Sequence, residues 1–332
     1  MSARRFVPLA GLALVALSVP LWIDAPFVMQ LLFRVALFAV IGIAWNVIGG
    51  YAGQLSLGHV AYFGCGAYSF SLLPTQFGVT MWLALVLGGL VACLAALVIG
   101  SVTFRLRGPY FVLSTIATAE ILRLLALNSE FTHGAIGLLA PSLFANPGVD
   151  SKFYVTAVVL LVASLAFAGW VHGSRFGYSL RAVRENEDTA MAVGINPARC
   201  KLLALLASAF LTGLAGGLYA SFSQFVGPES VLSIDVSVQA ALIAVLGGVG
   251  TVWGPLLGSL VLTLSSELFK AFFKEAHLLI YGLLLVAVVL FLPAGVASLV
   301  PRVRGAFARP RLDAERPSRS TTSEASSEGD RP

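Results

Sequence analysis

The sequence predicts an all-α, polytopic bundle of transmembrane helices, and three observations predict it. Hydrophobic residues make up 58% of the 332 positions and charged residues only 11%. Mean hydropathy is +0.90. Ordinary soluble domains carry roughly 25% charged residues, so this chain lacks the polar surface to cover an apolar core in water. In lipid the requirement reverses: the exterior is apolar and every backbone group pairs internally, as a helix allows. The third observation is spacing, because apolar runs of about 20 residues, long enough to cross the hydrocarbon core, recur along the chain.

Taken in order, Arg4 and Arg5 precede an apolar run that ends at Trp22. This resembles a signal peptide, but no small-x-small cleavage site precedes Asp24-Ala25-Pro26, so 6–23 reads as an uncleaved first span. Further spans are expected at 27–48, 81–103, 111–127, 153–172, 200–222 and 278–300. The stretch 53–73 is apolar but broken by glycine and small polar residues. The long run 236–270 is interrupted at Gly247-Gly248-Val249-Gly250 and Gly254-Pro255, dividing it into 236–248 and 253–270. The layout therefore has about ten spans, broken or half-spans included. Residues 1–301 form the transmembrane domain; 302–332, rich in Ser, Pro, Arg and Glu, cannot bury a core and read as a disordered cytoplasmic tail.

Charge distribution orients this layout. With both termini inside, sixteen of the 21 basic residues fall on the inner side: Arg4 and Arg5, Arg105 and Arg107, Arg175 through Lys201, and the tail arginines. That satisfies the positive-inside rule for a multi-pass membrane protein. The net charge of +5 belongs to these span ends, not to a nucleic-acid surface. Cys65, Cys93 and Cys200 lie in or beside apolar stretches without metal-like spacing and read as small buried residues.

The longest charged stretch between spans runs from Ser174 to Lys201. Its middle, Ser179 to Val193, suits one short amphipathic helix with Leu180, Val183 and Ala190 on the apolar side. Arg181/Glu185 and Arg184/Asp188 form i,i+4 pairs. Gly194 can end that helix in a left-handed cap, and Asn196 with Pro197 opens the next. The residues alone fit a solvated loop or a docking surface for a cytoplasmic partner.

Within the membrane, Gly49, Gly50, Gly53 and Gly58 crowd a stretch that also holds Gln54, Ser56 and His59. A second glycine-rich break carries Gly248, Gly250, Thr251 and Pro255. Paired, glycine-interrupted segments point to a solute pathway or to close helix packing, and the residues leave both open. His59 reads as a structural hydrogen bonder. Glu120 and Arg123 share a helix face and can pair; an ionisable pair within a span is either a pathway contact or a neutralised brace. Arg34 can snorkel toward the outer surface. Ala209, Gly213, Gly217 and Ser221 form a small-residue stripe that admits a close helix, from this chain or from a second subunit. No phosphate-loop motif, no H-E-x-x-H and no metal-spaced Cys/His cluster occurs, so no cofactor, metal or catalytic residue is assigned.

Several segments carry a family resemblance. Gly50-Tyr-Ala-Gly-Gln-Leu-Ser-Leu-Gly-His59, Leu106-Arg-Gly-Pro-Tyr110, Glu120-Ile-Leu-Arg123, Arg184-Glu-Asn-Glu187 and Leu246-Gly-Gly-Val-Gly250 occur in this order. Together they resemble the M-type permease subunit of branched-chain amino acid ABC importers, over roughly residues 30–295. The loop 174–201 is similar to the cytoplasmic coupling loop of such permeases, Asp188-Thr189-Ala190 and Gly194 standing for Glu-Ala-Ala, three residues, Gly; the family's later Ile-x-Leu-Pro is missing. Thr132-His-Gly departs from the family, which usually has glycine at the place of His133.

The resemblance implies a permease moving branched-chain or related amino acids inward, without an ATPase site of its own. Its implied partners are a second homologous permease, two cytoplasmic ATPases, an external solute-binding protein and membrane lipid. Arg181, Arg184, Glu185, Glu187, Asp188, Ala190 and Gly194 are then the coupling residues. Gln54, Ser56, His59, Glu120, Gly248 and Gly250 are the expected pathway residues. The alternatives are a self-sufficient, ion-coupled secondary transporter of small solutes, with Glu120 titrating, and an intramembrane enzyme, for which no nucleophile and base are found.

Overall fold

The computed structural model describes residues 7–22, 25–106, 108–144 and 151–272, together with Gly282. The expected span 278–300 and the tail 302–332 lie outside the described residues. Twelve α-helices are described. The long ones are α2 (Pro26–Trp45), α3 (His59–Phe77), α4 (Met81–Thr103), α5 (Pro109–Asn128), α6 (Ser151–Gly173), α9 (Pro197–Ser223), α11 (Ile234–Gly247) and α12 (Gly254–Phe272). Shorter are α1 (Val7–Ser18), α7 (Arg175–Glu185), α8 (Glu187–Ala192) and α10 (Pro228–Val231). Strands β1 (Leu138–Leu139) and β2 (Phe225–Val226) pair antiparallel.

Among the described residues, six segments are long and apolar enough to cross a membrane: Pro26–Tyr51, Met81–Thr103, Pro109–Asn128, Ser151–Gly173, Pro197–Ser223 and Pro228–Gly247. Two expected spans differ in detail. The first is shorter than 6–23, because α1 stops at Ser18 and a 3-10 turn containing Pro20 follows it. The stretch 53–73 divides into an irregular segment before Gly58 and a regular helix from His59 onward. The long run 236–270 splits as its glycines foretell, with Gly248 at φ +118° ending α11 and α12 restarting at Gly254.

Chemistry at the helix ends explains the boundaries. Pro109 and Pro197 occupy first-turn positions, where the missing N–H has no intrahelical partner to lose. Asn196 accepts a hydrogen bond from Arg199 N at 3.1 Å, and Gly78 closes α3 at φ +65°.

The core sits where α3, α4 and α9 pack side by side. A Cβ on Gly66 would lie 2.0 Å from the carbonyl oxygen of Gly213, and one on Gly213 would lie 2.6 Å from the Ala92 methyl. Two backbones therefore touch where side chains would hold them apart, as small residues permit in membrane bundles. This fills the small-residue stripe of α9 from within the chain: Gly217 faces Leu85 and Phe70 as well. The stripe's expected alternative, an interface with a second subunit, is thereby corrected at these positions. A second group, α2, α6, α11 and α12, packs around α2, and Phe33 stacks on Phe222 at 4.2 Å between ring centres.

Candidate functional site: a loop joined to two broken helices

The charged loop is two helices, not the single helix expected over 179–193. Ser174 caps α7 by accepting from Gly177 N at 3.1 Å. The chain then turns extended at Asn186, φ −161°, and the Asn186 side chain caps α8 by accepting from Thr189 N at 2.9 Å. Asn186 competes with the helix by bonding its own backbone two to three residues on, and it wins here. Arg184 and Asp188 consequently fall on different helices. Arg181 also departs from its expected partner: it donates from Nη2 to His172 O at 3.0 Å and lies over the Tyr178 ring. Glu185 is exposed at the end of α7.

Other features of the loop match the reading. Leu180, Val183 and Ala190 are buried. Gly194 adopts φ +85°, and its N–H reaches Met191 O at 2.9 Å. Glu187 pairs with Lys201 Nζ, whose side chain is 4% exposed. A cation so buried requires a partner, and this one fastens α8 to the first turn of α9.

Arg184 carries the loop into the membrane domain. Its Nη1 donates to Gly50 O at 2.8 Å. Gly50 belongs to a π-helical turn, Asn46–Tyr51, that ends α2. The second glycine-rich break meets the same turn: Asn46 Oδ1 accepts from Gly250 N at 2.8 Å, and Asn46 Nδ2 donates to Thr251 O at 2.8 Å. A Cβ on Gly50 would lie 2.0 Å from Asn46 Oδ1 and 2.8 Å from Gly250 N, so the turn accepts only glycine there. The two breaks separated by about 200 residues are thus one junction, closed by Asn46 and touched from the loop by Arg184.

The expected pathway residues divide into two places. Gln54, Ser56, His59, Gly248 and Gly250 lie in or beside the junction. Gln54 lines a groove of about 480 Å3 with Gly53, Gly108, Pro109 and Val112, against the start of α5. Ser56 is buried; its carbonyl accepts from Trp45 Nε1 at 2.7 Å and its hydroxyl accepts from Gly58 N at 3.3 Å. His59 Nε2 lies 2.7 Å from Ser208 Oγ, which donates its own proton to Ala44 O at 2.6 Å. Ser208 therefore accepts from His59, which places the imidazole proton on Nε2. The start of α3 is held by its neighbours, since Val60 N donates to Ser237 Oγ of α11 and Leu57 N to Thr115 Oγ1 of α5.

Glu120 stands apart from this junction. It lies on the exposed face of α5, where Arg123 donates to both its carboxylate oxygens at 2.6 and 2.9 Å. Arg123 Nη1 also reaches Glu229 of α10 at 2.7 Å. The expected pair is present, with Glu229 added as a third member. Among the described residues no His, Cys, Asp or Glu group is arranged to hold a metal.

A family model described as the permease component of branched-chain amino acid transport systems matches residues 27–289. The chain belongs to that family. Over 288 residues it is 33% identical to the high-affinity branched-chain amino acid transport system permease protein LivM of Salmonella typhimurium, covering 78% of this chain and 67% of that one. LivM of Escherichia coli K12 is 32% identical with the same coverage. LivH of Salmonella typhimurium is 26% identical over 280 residues, 78% of this chain and 90% of that one. No solved structure matches the chain. It is a multi-pass membrane protein and a transport component.

Four residues of this permease's site escaped the sequence reading. Asn46 offered a signal, being a lone amide in an apolar run just before Gly49-Gly50. In the sequence Lys201 is one more basic residue among the inner charges. Ser208 and Glu229 gave none, since a serine in an apolar helix and an acid on a short turn have no periodicity to mark them.

Proposed function

We propose that this chain is a permease subunit of an ABC importer in the bacterial inner membrane, moving branched-chain or related amino acids inward. It works beside a second, homologous permease; two cytoplasmic ATPases dock on α7 and α8, and an external binding protein delivers the solute. Similarity to both LivM and LivH supports a partner of the same family.

The observation that carries the coupling is the 2.8 Å contact from Arg184 to Gly50. A loop pushed from the cytoplasm moves Arg184, and Arg184 is bonded to the π-turn that Asn46 joins to the second break. Displacement of α7 therefore reaches both breaks together. Non-helical backbone in a membrane is tolerated against protein or a wet cavity, and such breaks are where transporters place their solute path. The exposed face of α5, bearing Glu120, forms a second wall of that path. An ionised cluster facing acyl chains would be costly, whereas one facing a water-filled space between two permeases is not.

Reconstitution in liposomes tests this reading. Inward amino-acid transport is expected only when both permeases, ATPases, binding protein and ATP are present. Replacing Gly194 with a bulky residue, at φ +85°, is expected to leave ATP hydrolysis running while uptake falls. Uptake by this chain alone under an ion gradient would overturn the proposal.

A further inference from the structure

A second polar feature lies at the other end of the bundle, away from the coupling loop. α2 enters at Pro26 and reaches the junction at Asn46, while α11 begins and α12 finishes near Arg34. At about 1.5 Å of rise per residue, Arg34 stands roughly 18 Å along α2 from Asn46. There α2, α11, α12 and the last turns of α9 enclose a cavity of about 670 Å3.

Its lining is charged on one side and apolar on the other. Arg34 Nη1 and Lys270 Nζ both lie on Glu267 Oε1, at 3.0 and 3.2 Å. Among the described residues, two cations thus share one carboxylate, which leaves a positive charge for an anion. Asp235, whose Oδ2 accepts from Ser233 Oγ at 2.8 Å, supplies a separate carboxylate to the same cavity. Leu37, Phe38 and Leu242 make an apolar wall. Independently, Thr263 lines the cavity at 5% exposure, and its Oγ1 has no hydrogen-bond partner among the described residues. Buried hydroxyls are normally paired, so an orphan in a cavity wall points to a ligand that pairs it.

We propose that this cavity binds one phospholipid with an ethanolamine headgroup. The phosphate sits between Arg34 and Lys270, the ammonium faces Asp235, Thr263 donates to a headgroup or ester oxygen, and an acyl chain lies along Phe38 and Leu242. Basic pockets between transmembrane helices hold lipid headgroups in this way. A branched-chain amino acid is a poorer occupant, because it would fill only a small part of the volume and would bury one short side chain against the long apolar wall. The site is independent of the pathway proposed above, since none of its residues lies in the junction.

Native mass spectrometry of the full chain in mild detergent tests it, with dioleoyl-phosphatidylethanolamine, dioleoyl-phosphatidylglycerol, inorganic phosphate and leucine added in separate arms. Retention of the ethanolamine lipid is expected at least fivefold above the glycerol lipid. The double variant Arg34→Gln/Lys270→Gln is expected to lower retention of both lipids at least fivefold. Asp235→Asn is expected to remove only the preference between them. Where the double variant does not fold, Thr263→Val is expected to lower ethanolamine-lipid retention about threefold. Unchanged retention in these variants, no preference between the lipids, phosphate binding without lipid, or displacement of the lipid by leucine would each overturn the proposal.

Discussion

Arg184 of α7 donates to the Gly50 carbonyl at 2.8 Å across 134 positions of sequence. That single bond connects a cytoplasm-type loop to backbone inside the helix bundle. Its neighbours leave it little freedom, since a Cβ on Gly53 would lie 2.7 Å from Arg184 Cγ and one on Gly250 3.4 Å from Arg184 Nη1.

Arg184→Ala is therefore expected to separate hydrolysis from transport. A hydrogen bond to a charged group contributes about 1.5–3 kcal/mol, so its loss is expected to lower coupled uptake roughly tenfold or more. ATP hydrolysis by the assembled importer is expected to continue. Measured in proteoliposomes, equal loss of both activities would show that Arg184 serves assembly and not transmission.

The amide of Asn46 uses one donor and one acceptor on the second break, Thr251 O and Gly250 N. Asn46→Asp keeps the acceptor and loses the donor, leaving Thr251 O unpaired beside a carboxylate. Asn46→Leu loses both. Each unpaired buried group costs about 1–3 kcal/mol, so both variants are expected to lower the thermal midpoint of the purified chain, the leucine variant by a similar amount or more. A midpoint unchanged in both variants would mean that the junction opens without cost.

Much of this was legible in the sequence, and what was missed has a physical reason. Spans follow from burial in lipid, a property of composition over about 20 residues that needs no knowledge of neighbours. The caps at Asn196 and Gly194 are local too, and both stand where the residues place them. The glycine breaks were visible, but their meeting was not, because a contact across 204 positions leaves no mark on periodicity. The break at Asn186 is hidden in the sequence for a related reason. The i,i+4 charge pairs argued for one helix through it, yet such pairs contribute only about 0.2–0.5 kcal/mol, less than an asparagine cap.

The Lys201–Glu187 pair fastens the loop to α9 and is deeply buried on its lysine side. Removing one partner of a buried ion pair costs about 3–5 kcal/mol because the other charge is stranded. Glu187→Leu alone, which strands the buried lysine charge, is expected to destabilise the purified chain strongly. The double variant Lys201→Met/Glu187→Leu is expected to recover most of that loss. A double-mutant cycle on thermal unfolding checks this, and additive effects would show that the two side chains do not interact.

His133 occupies the left-handed region at φ +57°, where the resemblance leads one to expect glycine. For a residue with a Cβ that conformation costs roughly 1–2 kcal/mol, whereas glycine adopts it freely. Part of the gain from substitution is offset, because glycine also loses more entropy on folding. His133→Gly is therefore expected to stabilise the chain by about 0.5–1 kcal/mol, read as a rise in thermal midpoint. His133→Ala keeps the Cβ and is expected to give no such rise, so a similar increase in both variants would place the effect in the imidazole and not in the backbone.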